Sequence, residues 1–248
     1  MRRSLDSIDA VFNILESLDG SKEKDSVRKI AEETGITKST VHRILQSLTS
    51  IGWTYQDAED KSYCLSLKFL TFANEWRMNL DIVKQFDPIL RKISAECGQT
   101  AFLNIIDIDR AFCLHKVESE SLVRVASVVG KEQAFHAGAS GKVLLAYAPK
   151  WLVDKVLSQK LEAFTPFTVT DPAKIREQLS TIREQGYCFS VEEIDPGAAA
   201  VSVPSLNEKK GIVTAVSVAG TRFDFERDHE KWLSSLREAV KDVVPVSL

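Results

Sequence analysis

VRKIAEETGITKSTVHRILQSLTSIGW, residues 27–53, decides the fold of the amino-terminal part of this chain. Val27, Ile30 and Ala31 recur at helical spacing and mark a short helix. Gly35 stands where a tight turn needs a residue that tolerates positive φ. Thr37 is a good N-cap type, and beyond it Val41, Ile44, Leu45 and Leu48 form the apolar stripe of a further helix, ended by Gly52. On a helical wheel, Ser39, Arg43, Gln46 and Ser50 fall opposite that stripe, with His42 and Ser47 flanking them.

Upstream, residues 5–18 place Leu5, Ile8, Val11, Phe12, Leu15 and Leu18 on one face of a first helix, and residues 19–24 form a polar connection. Downstream, residues 53–56 and 62–65 are strand-like around DAEDK, a wing hairpin. The order helix, helix, turn, helix, hairpin is that of a winged helix-turn-helix. Residues 1–62 carry nine Lys/Arg against eleven Asp/Glu, so the segment as a whole is not basic. Yet no acid occurs from Thr34 through Gln56, which removes repulsion of a polyanion where the polar face lies. Candidate contacts to double-stranded DNA are Lys38, Ser39, Thr40, His42, Arg43 and Gln46 on this helix, Arg28 on the preceding one and Lys61 on the wing. The alternative is a three-helix unit that docks a protein partner.

Residues 67–78 are again helical in pattern, with a break near Asn79 and Leu80 before a helix over 81–98. The stripe Leu67, Leu70, Phe72, Ala73, Trp76 is wide enough to bury against a second copy, packing within the chain being the alternative. One recognition helix reads only a few base pairs, so a homodimer or homotetramer is expected. From Gln99 the character changes. TAFLNIIDID, AFCLHKVES and LVRVASVV (residues 122–129) read as strands, followed by helices at 141–148, 151–159 and 172–185. Strands at 187–191, 198–204 and 212–219 come next, then a last helix over 227–243. Strands and helices mix without βαβ alternation, which makes the class α+β. The expected organisation is a DNA-binding domain over 1–66, a linker helix over 67–80 and a sensor domain over 81–248.

Composition narrows the rest. At 248 residues, 44% hydrophobic, 27% charged and a net charge of −3, the chain is ordinary for a globular protein. No apolar run approaches the roughly 18 residues of a membrane span. Asp6, Asp9 and Glu16 interrupt the first apolar stretch, so it reads as an amphipathic helix and not a signal peptide. The default is a cytoplasmic protein with no membrane partner. Cys64, Cys97, Cys113 and Cys188 are far apart, with no CxxC and no histidine at ligand spacing, so neither a metal nor a cofactor is expected.

FHAGASGKVLLAYAP, residues 135–149, leads small residues into an apolar helix. This exposes backbone N–H groups at a helix amino end, a site for a carboxylate or other anion. Lys142 either adds charge there or points to solvent, and a packed junction without a ligand remains the alternative. Residues 186–220 hold two strands of small residues in which Ser202 and Ser217 stand among apolar positions. Small side chains on facing strands leave volume for a small polar ligand, or simply allow close packing of a helix. Two further readings compete. Ser140, His136 and His115 can be drawn as a nucleophilic set, although GASGK is not a GxSxG elbow. Cys188 can be drawn as a redox sensor, although no adjacent cation lowers its pKa.

Residues 27–53 resemble the winged helix-turn-helix of the IclR family of regulators, in which a KSTVHRxLxxL-like recognition helix is typical. Residues 135–149 and 186–220 resemble that family's effector domain, through patterns of the form HAxAxGKxxLA and GYxxxxEExxxGxxxxAxP. The resemblance spans nearly the whole chain in order. It implies a ligand-responsive transcriptional regulator with a GAF-like α/β sensor domain and an organic or sugar acid as effector. It places the anion-binding backbone on Ala139 and Ser140, a polar residue before the Glu-Glu pair on Ser190, and pocket-lining strand positions on Ala200, Ser202, Ser217 and Ala219. This chain departs from relatives that place Asp or Cys at some of these points, so glyoxylate or pyruvate is not implied. The run AAAVSVPS also implies a roomier pocket.

Overall fold

A computed structural model describes residues 7–18, 25–121, 125 and 128–246. Leu5, the connection over 19–24 and most of the strand expected at 122–129 lie outside the described residues. The chain divides into two compact units, Met1–Arg77 and Met78–Leu248.

The first unit holds helices α1 (Ser7–Ser17), α2 (Val27–Thr34) and α3 (Lys38–Ser50), then strands β1 (Thr54–Gln56) and β2 (Tyr63–Leu65), which pair antiparallel. Asp25 adds an isolated bridge to Tyr63, with both backbone bonds made at 2.9 and 2.8 Å. Gly35 ends α2 in the left-handed conformation at φ 70°, its N–H returning to Ala31 O at 3.0 Å. Ala10, Ile14, Ile30, Val41, Leu45, Leu48 and Tyr63 form the core. The expected face of α1 is corrected here. Ile8 and Phe12 are 62% and 59% exposed, while Ala10 and Ile14 turn inward with Leu18 beyond the helix end. The helix carries apolar residues on more than one side, and the side with the small Ala10 allows the closest approach to its neighbours. Thr37 is the N-cap of α3 by position, yet its side chain makes no cap bond. Its hydroxyl bonds those of Thr40 at 3.0 Å and Ser39 at 3.2 Å instead.

Helix α4 (Lys68–Asn79) follows, and none of its residues is buried. Its amino end is clamped to the end of α3. Trp53 meets the rings of Phe69 and Phe72 at 4.6 and 5.6 Å, and Lys68 Nζ lies 4.8 Å from the Trp53 ring while donating to Ile51 O at 2.9 Å. Leu67, just before the helix, and Leu70, Phe72 and Trp76 on it stay exposed.

The second unit contains α5 (Asp81–Cys97), β3 (Thr100–Asp107), β4 (Arg110–Val117), β5 (Glu132–Gln133), α6 (Ala139–Ala146), α7 (Lys150–Leu157), α8 (Pro172–Gln185), β6 (Cys188–Val191), β7 (Ala198–Asn207), β8 (Ile212–Thr221) and α9 (Arg222–Val240). The strands form one antiparallel sheet in the order β5-β4-β3-β8-β7-β6. Strand alternation sends Leu103, Val201, Val216 and Val218 to a core shared with α5 and α9. The opposite face, with Ala111, Cys188 and Ala215, packs against α6, α7 and α8. The last helix begins five residues earlier than expected, because Thr221 caps it: its Oγ1 accepts from Asp224 N at 3.1 Å and donates to Asp224 Oδ2 at 2.8 Å.

Candidate nucleic-acid interface and ligand cavity

On α3 the division of labour follows the wheel. Val41, Ile44, Leu45 and Leu48 are buried, whereas Lys38, Ser39, His42, Arg43, Gln46, Ser47 and Ser50 are exposed and Thr40 is half-buried. Arg28 is exposed, but its guanidinium is engaged by Glu32 one turn on at 2.8 Å. Lys61 sits in the wing turn at φ 60°. Two of the acids beside it bond within the turn. Asp57 Oδ1 accepts from the N–H groups of Glu59 and Asp60, and Asp60 Oδ1 accepts from Ser62 N and its hydroxyl. Two of the three wing carboxylates thus accept from backbone N–H groups of the turn.

In the second unit a cavity of about 390 Å³ lies between the amino end of α6 and the sheet. Ala139, Ser140, Ser190, Ala200, Ser217 and Ala219 all line it, together with Phe102, Asn104, Phe164 and Glu193. Ser202 does not line it. It is fully buried beside Ser217, its partner in the β7–β8 register, and receives the Ser217 hydroxyl at 2.8 Å. The Ser140 and Ser217 hydroxyl oxygens are 2.9 Å apart. The N–H groups of the first turn of α6 lack carbonyls one turn before them, and no side chain caps the helix.

Lys142 takes neither of the two roles read for it. It is 2% exposed and gives its ammonium to Glu193 Oε1 at 2.5 Å, while Glu193 Oε2 accepts from Gly138 N at 3.0 Å. A carboxylate of the chain itself therefore occupies the N–H just before α6, neutralised by Lys142. The preceding Glu192, at φ 57°, sends its side chain the other way, to Arg222 and Gly197 N. At the rim Glu132 faces Arg110 at 3.5 Å.

Asn104 and Glu193 were not singled out in the sequence. A lone carboxamide within TAFLNIID was the available signal for Asn104. Its Nδ2 reaches Ala215 O and Ser217 Oγ, both at 3.4 Å, and its Oδ1 is buried without a hydrogen-bond partner among the described residues.

The nucleophilic set does not assemble. Ser140 bonds Ser217, His136 Nε2 lies 2.8 Å from Glu162 O, and His115 Nε2 lies 2.8 Å from Asp87 Oδ1. The Asp87 carboxyl is held below its ordinary range chiefly by its bond to Arg91, with His115 adding to the effect. Cys188 is buried and its thiol is pushed up to about 11 by that burial. A cation does face it, Lys142, contrary to the sequence reading, but Glu193 offsets the effect.

A winged helix-turn-helix with an acid-free outer face, followed by a unit that holds a ligand-sized cavity, defines a DNA-binding transcriptional regulator. Residues 7–58 match the IclR helix-turn-helix domain, and residues 74–244 match the family described as bacterial transcriptional regulator IclR C-terminal. The chain belongs to the IclR family of transcriptional regulators, which act by effector-modulated DNA binding and are not enzymes. The HTH-type transcriptional regulator KdgR of Dickeya chrysanthemi is 28% identical over 242 residues, covering 97% of this chain and 79% of KdgR. The crystal structure of an IclR transcriptional regulator from Alicyclobacillus acidocaldarius is 26% identical, with a TM-score of 0.81 over 94% of this chain and 95% of that one. An IclR homologue from Microbacterium hydrocarbonoxydans, solved with 4-hydroxybenzoate, shares the fold at a TM-score of 0.81 and 23% identity, over 95% of this chain and 96% of that one. Among the described residues no helix is long and apolar enough to cross a membrane.

Proposed function

We propose that this regulator binds a pseudo-palindromic operator as a homodimer or homotetramer and that a small organic or sugar acid, held in the α6 cavity, shifts its affinity for DNA. The observation that carries the reading is the coincidence in one cavity of uncapped N–H groups of a helix amino end and a wall of small hydroxyl-bearing side chains. The carboxylate would rest on the N–H groups of Ala139 and Ser140, with Ser190, Ala200, Ser217 and Ala219 around the remainder. Ser202 contributes through Ser217 and not by contact. The 4-hydroxybenzoate held by the homologue supports an acid-bearing ligand.

On the DNA side, α3 enters the major groove with Ser39, His42, Arg43 and Gln46 toward base edges. Lys38 and Thr40 at its amino end, Arg28 and Lys61 sit toward phosphates. Arg28 must leave Glu32 to do so. The exposed apolar residues Leu67, Leu70, Phe72 and Trp76 at and along α4 support assembly through this helix. Operator reading places the protein in the cytoplasm. A thermal-shift screen of the full chain against organic, sugar and aromatic acids, followed by operator mobility shifts with each hit, tests the reading. A ligand at 100 times its dissociation constant stabilises by about 2.7 kcal/mol. A screen without hits, or hits that leave DNA binding unchanged, would reject it.

A further inference from the structure

We infer that Trp53, Ser66 and Lys68 are positioning residues of operator recognition. They lock α4 onto the end of the recognition helix α3, so the direction of α4 sets the aim of α3 and with it the half-site spacing that two subunits accept. This rests on the two-subunit operator reading above and adds residues to which that reading gives no DNA contact. Helix α3 ends at Ser50, and the next three main-chain carbonyls are all taken from the α4 side. Ile51 O accepts from Lys68 Nζ at 2.9 Å, Gly52 O from Ser66 Oγ at 2.5 Å, and Trp53 O from Ser66 N at 3.0 Å. Ser66 also opens α4, because its Oγ accepts from Lys68 N at 3.2 Å. One hydroxyl thus serves both helices.

Trp53 is held from the α3 side as well. Its backbone N–H returns to Leu48 O at 2.9 Å, and the next residue, Thr54, is buried and donates to Leu45 O at 3.3 Å. The indole therefore sits on a fixed turn and packs against Phe69 and Phe72, with Lys68 Nζ over its face. No residue of α4 is buried, so this joint carries its direction relative to α3. Arg43 lies about 12 Å along α3 from Ile51, and a swing of about 10° at the joint displaces it by about 2 Å. Hydrogen bonds tolerate a spread of only about 0.5 Å. A loose joint therefore loses register at the second half-site once the first is bound. A residue that merely supports the fold would weaken every DNA alike, whereas a positioning residue acts where two half-sites must be met together.

Duplexes selected from random DNA by the full chain supply the operator. Mobility shifts then measure Kd for that operator, for versions with the spacer lengthened or shortened by a base pair, and for a duplex with a single half-site. Changing the spacer is expected to weaken wild-type binding at least about tenfold. In Trp53→Ala that penalty should shrink to about threefold or less, with operator binding about tenfold weaker and single half-site binding within about twofold of wild type. Trp53→Phe, which keeps a ring against Phe69 and Phe72, should restore the wild-type pattern. Where Trp53→Ala does not melt as a folded protein, Ser66→Ala, which removes the bond to Gly52 O, should shrink the spacer penalty in the same direction. A penalty unchanged in the folded variants, or single half-site binding that falls as far as operator binding, overturns the positioning role. The parent reading fails by a different sign: the wild-type chain selects DNA with a single half-site or sediments as a monomer, and the joint then has no spacing to set.

Discussion

Replacing Gly141 with alanine tests whether the cavity is built on a close backbone approach. Gly141 lies in α6 with ordinary helical φ, so alanine brings no backbone strain of its own. On helix propensity alone the change should stabilise by about 1 kcal/mol. A Cβ at that position, however, would stand 2.0 Å from Ala134 O, with Ala134 C and Phe135 Cα at 3.1 and 3.2 Å. The neighbour is main chain, which has no rotamer to escape into. Either residues 134–135 or the amino end of α6 must retreat by about 1 Å, and both line or adjoin the cavity. Overpacking of this kind costs about 1–3 kcal/mol, with backbone contacts at the upper end. The difference leaves a net loss of about 2 kcal/mol. In a unit of this size that lowers Tm by roughly 4–8 °C. Scanning calorimetry of the full chain measures it, with operator binding in the absence of effector expected to stay near wild type. An unchanged or raised Tm would mean that propensity wins and that the Ala134 contact yields freely, refuting a packing role for this glycine.

Arg43→Ala should leave the fold intact and weaken operator binding by about 1–3 kcal/mol if the guanidinium pairs bidentately with guanine; wild-type affinity in a mobility shift would reject the placement of α3. Leu45→Asp puts a charge in a fully buried site and should unfold the first unit, seen as loss of helical circular dichroism; a native spectrum would contradict the core described for it. Ala200→Trp should fill the cavity and abolish the effector's influence on DNA binding, at a stability cost of about 1–3 kcal/mol, and a response that survives in the folded variant would move the site elsewhere. The buried Cys188 thiol makes an alkaline prediction. Above about pH 9 the unfolded chain gives up this proton while the folded chain keeps it until about 11, so the unfolded state binds fewer protons and stability falls as pH rises through that window. Denaturant titrations should show Cys188→Val losing about 2–3 kcal/mol less than wild type between pH 9 and 11, and parallel pH profiles would refute the burial argument.

Much of the second unit's order was legible. Helix α8 begins at Pro172 behind the Asp171 cap and ends before Gly186, as its pattern required. The α9 start was missed although Thr221 and Asp224 carry the capping spacing. That signal is only four residues long and was outweighed by the charged run after it. The α1 face was misread because Ile8 and Phe12 are as apolar as the residues that turn inward. Periodicity reports a stripe, and which of two stripes is buried depends on the shape of the partner helices.

What the sequence determined by itself is the local chemistry: the turn at Gly35, the acid-free polar face of α3, and the run of small residues that leads into α6. These follow from periods of 3.6 and 2 and from residue types within one turn or strand. Tertiary structure alone decided what lies far apart in the chain. Lys142 meets Glu193 across 51 positions, Asn104 meets Ser217 across 113, and the β7–β8 register sets Ser202 beside Ser217, where it does not line the cavity. Strand pairing and helix packing set these meetings, and they depend on which sheet face each residue joins. No spacing within a segment encodes whether Lys142 ends in solvent or against a buried carboxylate.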